Sequence, residues 1–189
     1  EAIMDTFRNL ITIIESKQGV KINLEEVGCD INDLEPVLSS EAVAFHHETL
    51  AKGYVDRYNS EEGDVEFNYA GAILHNLYFP QLTFPKKANK PIGKSLDLIN
   101  KSYKSFDEFK DRFTEEALKI QGSGWVYLDK YGEIKTIKNH ATRNNIALII
   151  DMWEHAWMLD YSNMSNPREQ YLKHHWRIIN WNIVNERID

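Results

Sequence analysis

A single cysteine, Cys29, is all that the sequence offers, so no disulfide can close within the chain. That fits a reducing, intracellular setting, and an isolated thiol reads as a small buried hydrophobe rather than a nucleophile. Basic runs are missing too. Lys and Arg number 22 against 29 Asp and Glu, a net charge of −7, and no Lys/Arg stripe stands out, which argues against nucleic acid as a partner. No apolar run reaches the length of a membrane span, and the first residues do not read as a signal peptide. A cytoplasmic place is expected, with a processed organellar form as the other option. Internal repeats and low-complexity tracts are also absent.

What is present is apolar and aromatic. Hydrophobic residues make up 42% of the 189 positions and aromatics 12%, enough to pack one compact domain or two small ones sharing a core. Residues 3–17 read as a short amphipathic helix, with Ile3, Phe7, Leu10, Ile11 and Ile14 on one face. Residues 20–38 read as irregular. A second helix is expected from Ser39 or Ser40, either of which can cap it, to about Tyr58. A third spans 67–79, and together they form an antiparallel hairpin. The proline- and lysine-containing stretch 80–93 reads as a linker. Helices follow around 95–103 and from a capping box at Ser105 and Glu108. The period then changes. Strands are expected over 125–128, 133–139 and 146–150, helix over 152–161, and a last helix from Pro167 that turns Leu172, Trp176, Ile179 and Ile183 inward. The fold class is α+β: a long N-terminal helical hairpin (21–90), then a C-terminal domain (91–189) with a small three-stranded antiparallel sheet flanked by helices, and an extra helix over 1–20.

Three places in this scheme offer metal ligands. Asp151 and His155 are four residues apart, a spacing that sets a carboxylate and an imidazole on one side of a helix turn or of a strand running into a helix. His46, Leu50 and Tyr54 share a face of the second helix, and His75 lies on the apolar side of the third. Gly71 and Ala72 leave room one turn before His75. Three imidazoles and one carboxylate suit Fe or Mn and leave a fifth position for solvent. From chemistry alone the reading stops at a redox or hydrolytic metal centre.

The motifs say more. Asp151-Met152-Trp153-Glu154-His155-Ala156-Trp157 is close to D-x-W-E-H-A-Y, and Gly122-Ser123-Gly124-Trp125 matches G-S-G-W. Leu34-Glu35-Pro36, Ser40-Glu41, Phe45-His46 and Tyr54-Val55 precede Phe67-Asn68, Gly71, His75 and Phe79, and Asn180-Trp181 comes last. In this order, from about Asp33 to the C-terminus, they resemble the iron/manganese superoxide dismutase family. The resemblance implies that His46, His75, Asp151 and His155 bind one Fe or Mn ion, with iron favoured, and that superoxide is the substrate. It implies that Tyr54 guards the substrate funnel, that His140 stands where a glutamine or histidine bonds the metal-bound solvent, and that Trp125 and Trp153 line the site. Arg168 falls on the funnel arginine. Glu154 reaches across a two-fold interface to the partner's metal-binding histidine, so a homodimer, or a tetramer built from it, is implied.

Three departures from the family pattern stand out. Leu50 and Ala51 replace two consecutive histidines, the first of which meets a tyrosine, here Tyr161, from the partner subunit. Thr49 replaces a lysine near the funnel, and the helix at 3–17 has no counterpart. The lost histidines keep a non-catalytic, metal-binding or structural descendant of the family in view as the alternative. A metalloenzyme with two His, one carboxylate and several open positions is a further one.

Overall fold

The computed structural model describes residues 19–189. The helix expected over 3–17, and with it most of the unit expected over 1–20, lies outside the described residues.

The chain enters as extended and irregular segments with one 3-10 turn, Ile31–Leu34, whose Leu34 is buried. Ser39 then caps the first helix by accepting from the Ala42 amide. The helix runs as α1 (Ser40–Ala44), a seven-residue π segment (Phe45–Ala51) and α2 (Lys52–Asn59). Its extent is the expected one, but the π segment is not announced by any periodicity. Such a segment opens the backbone by one residue per turn and is found mostly at functional sites. Asp64 caps α3 (Val65–Tyr78) by accepting from the Phe67 amide. α3 runs back against α2 as the other arm of the hairpin.

After a 3-10 turn over Phe79–Gln81 and the irregular stretch read as a linker come α4 (Gly93–Ser102) and α5 (Phe106–Leu118). Ser105 caps α5 as expected, accepting from the Glu108 amide. Strands β1 (Gly124–Asp129), β2 (Ile134–Lys138) and β3 (Ile146–Asp151) form one antiparallel sheet in the order β2-β1-β3. All six residues of β1 and of β3 are buried, as their composition requires. Beyond β3 the Gln81 side chain exchanges hydrogen bonds with the Ile149 backbone, so the sheet edge is closed by an amide and not by a strand.

Two expectations change at the C-terminus. Helix α6 covers Glu154–Tyr161, so Met152 and Trp153 are an extended entry to it and not its first turn. The single last helix is three pieces: α7 (Pro167–His175), a 3-10 turn over Trp176–Ile178, and α8 (Trp181–Glu186). The break comes where Ile179 is extended and Asn180 starts a new cap with its side chain accepting from the Asn182 amide. The register after it is reset, so Val184 is buried while Ile183 is only half-buried. One hydrophobic core joins the hairpin, the sheet and the later helices, from Leu34 and Leu74 to Phe109, Trp125, Ile150 and Trp176.

Candidate metal centre

His46 stands on the first turn of the π segment, His75 near the end of α3, Asp151 at the last position of β3 and His155 in the first turn of α6. The antiparallel register sets Trp125 opposite Asp151, so both side chains leave one face of the sheet towards the hairpin. The result is that one atom from each of the four residues lies within 4.8 Å of all the others. Asp151 Oδ2 is 3.0 Å from His46 Nε2, 3.1 Å from His155 Nε2 and 3.5 Å from His75 Nε2.

The protonation pattern follows from the partners. His75 Nδ1 donates to the Gly71 carbonyl at 2.6 Å, so its proton is on Nδ1 and its Nε2 lone pair faces the cluster. Yet that Nε2 is only 3.1 Å from His46 Nε2. Burial pushes the His46 imidazole down to about 3, against the pull of Asp151. Burial alone raises Asp151, but the neighbouring His155, with the hydrogen bonds from His155 and His46, outweighs it and holds the carboxyl well below the usual range. The backbone amide of Trp153 binds the other oxygen, Oδ1, at 2.9 Å. Imidazole nitrogens and a carboxylate oxygen crowded together in a buried pocket fit one cation, and the mixed N and O set fits Fe or Mn.

Around the cluster stands an aromatic wall. Tyr54 stacks on His75 with ring centroids 5.5 Å apart and meets His140 edge-on at 4.7 Å. Trp125 Nε1 donates to His140 Nδ1 at 3.1 Å. This bond leaves the proton of the neutral imidazole on Nε2, which is buried and has no protein partner among the described residues. Burial, with His75 nearby, pushes His140 down to about 3, in keeping with a neutral ring. Trp153 stacks on His140 at 4.4 Å and on His155 at 5.6 Å. A Cβ on Gly71 would lie 2.8 Å from the Tyr54 ring and 3.2 Å from His140, so the missing side chain is the space those two rings fill.

The other expected residues lie outside the four-residue cluster. Glu154 is exposed at the start of α6. The Tyr161 hydroxyl is buried and donates to the Val37 carbonyl of its own chain at 2.7 Å. Leu50 is half-buried, and His47, the other imidazole beside His46, is tied by Nε2 to the Glu25 carbonyl at 2.8 Å. Arg168 donates to the Ala117 carbonyl at the end of α5, and no described hydrogen bond, ion pair or ring contact joins it to the four-residue cluster. The cation beside Tyr54 is Arg57, its guanidinium 5.0 Å from the ring centre. Sequence reasoning passed over Arg57, although a spacing of three on α2 was the signal that could have found it.

Comparison with known proteins agrees with this geometry. The family model for iron/manganese superoxide dismutases, C-terminal domain, matches residues 91–187. A Pyrobaculum aerophilum protein named superoxide dismutase [Fe] is 34% identical, over 83% of this chain and 87% of its own length. One from Porphyromonas gingivalis, named superoxide dismutase [Mn/Fe], is 37% identical over 83% and 94%. One from Saccharolobus solfataricus, named superoxide dismutase [Fe], is 34% identical over 90% and 95%.

Proposed function

Because the chain belongs to the iron/manganese superoxide dismutase family, we propose that His46, His75, Asp151 and His155 together hold its single Fe or Mn ion. The chain acts as a superoxide dismutase, converting two superoxide radicals to O2 and H2O2. The observation that carries the ligand assignment is the convergence of three imidazole nitrogens and one carboxylate oxygen within 4.8 Å.

When bound, the ion supplies a one-electron couple that oxidises one superoxide to O2 and reduces a second, which takes up two protons, to H2O2. The protein residues do the rest. The Gly71 carbonyl fixes the tautomer of His75, and the Trp153 amide fixes the Asp151 carboxylate, so the ligands are aimed before any ion arrives. Trp125 holds His140 in the tautomer whose Nε2–H is free beside the cluster, where it can hold or pass on a proton. Tyr54 offers a phenol on the same side, stacked on His75. Trp125, Trp153 and Phe79 crowd bulk water away from the ligands.

The finer assignments belong to the same reading. The chain divides into a hairpin unit over 21–90 and a C-terminal unit over 91–189, each supplying two ligands. Glu154 bonds the partner's metal-binding histidine in a homodimer. The lone Cys29 thiol supports an intracellular, cytoplasmic place.

The test is direct. Purified protein loaded with Fe or Mn is expected to hold one ion per chain and to dismutate superoxide. His75→Ala is expected to lose most of its metal, because a buried ligand is removed and no fourth donor replaces it. Full retention of the ion in that variant overturns the four-ligand assignment.

A further inference from the structure

The geometry points to Arg57 as the residue that both draws the superoxide anion to the metal site and holds Tyr54 in position, an inference that rests on the dismutase reading. Three contacts fix the guanidinium. It lies over the Tyr54 ring, 5.0 Å from its centre. Its Nε donates to Asn68 Oδ1 at 3.1 Å, and Asn68 is buried and anchored in turn to the Glu62 carbonyl. Nη1 rests in the notch left by Gly53, where a Cβ would come within 3.0 Å of it. An otherwise exposed arginine is therefore laid flat along α2 and against α3. It lies over the ring that also meets His75, His140 and Phe67.

The charges around it explain why one cation matters here. The chain carries a net charge of −7, which repels an anion. Lys52 and Asp56, on the same turn, pair with each other and cancel. Glu61, Glu62, Asp64 and Glu66, all exposed, follow at the turn into α3. Thr49 has no charge, and Arg168 is engaged at the Ala117 carbonyl. Arg57 is thus a positive group at the Tyr54 side of the cluster that no carboxylate pairs with among the described residues.

The experiment compares holoenzyme with Arg57→Gln, Arg57→Glu and Arg57→Lys, metal content being measured in each. The second-order rate with superoxide is followed by pulse radiolysis from low to high salt. At low salt the rate is expected to fall about threefold in Arg57→Gln and about tenfold in Arg57→Glu, and the differences are expected to close as salt screens the field. Arg57→Lys keeps the charge but loses the flat contact, so it is expected to retain the salt dependence with a lower rate. Affinity for azide, a small anion, is measured on the same loaded proteins and is expected to weaken severalfold in Arg57→Glu. Unchanged rate, salt slope and azide affinity in fully loaded Arg57→Glu overturn the proposal. If the loaded wild-type protein shows no dismutation, it is the dismutase reading that fails, and azide affinity still decides whether Arg57 attracts anions to the site.

Discussion

His175 is buried between Tyr78 and Tyr171, and neither of its ring nitrogens has a protein partner among the described residues. Burial pushes its imidazole down to about 3 from an ordinary value of 6.5. The folded state therefore binds this proton less readily than the unfolded chain. The contribution of His175 to stability is complete above pH 6.5 and is lost as pH falls from there towards about 3, with a slope of up to ~1.4 kcal/mol per pH unit. His175→Phe fills the same aromatic slot without a titrating group. Its thermal stability is expected to equal or exceed that of the parent at neutral pH and to fall less between pH 6 and pH 4. Parallel acid limbs for the two proteins would refute this account. At the same scale, the motif residues of the cluster were readable from the chain, because ligand chemistry is a property of residue type. His175 and Arg57 were not, since a histidine after Lys173-His174 and an arginine on a polar helix face look like surface residues until the packing is known.

Among the elements, the contact of α3 with α2 does most to shape the site. Gly71 is the residue that permits it, for a Cβ there would meet the Tyr54 ring at 2.8 Å and His140 at 3.2 Å. Gly71→Ala is expected to cost about 1–3 kcal/mol in stability, as overpacking of a filled space does. It is also expected to lower dismutation more than metal content, because Tyr54 and His140 must shift while the four ligands need not. Denaturant unfolding, metal analysis and turnover on one preparation check all three. Loss of metal in step with activity would show that the ligands themselves depend on Gly71. Helix boundaries with a capping side chain, at Ser39 and Ser105, were legible because a cap is a local hydrogen bond. The π segment and the break after Ile178 were not. Both are settled by what the backbone must reach: His46 its cluster, and Val184 the core.

Across the whole molecule, α6 leaves Glu154, Met158 and Leu159 exposed, with Met158 one turn beyond Glu154 on the same face. An acidic residue beside two bare apolar side chains is the surface that the proposed homodimer would cover. Sedimentation velocity is expected to find a dimer for the parent chain, and Met158→Lys to shift it towards monomer with metal content kept. A monomeric parent at micromolar concentration would end the dimer assignment. It would also leave Tyr161 with the partner it has within one chain, the Val37 carbonyl.

Residue chemistry and its order along the chain determined by themselves the α+β class, the helical hairpin, the three strands and the four ligand candidates. They could do so because caps, periodicity and donor type are local. Only the tertiary structure decided that three Nε2 atoms and Asp151 Oδ2 meet at one point, that Trp125 sets the tautomer of His140, and that Arg57 lies over Tyr54. These are relations between residues from 3 to more than 100 positions apart, and burial, register and packing, not sequence neighbours, bring them within bonding distance.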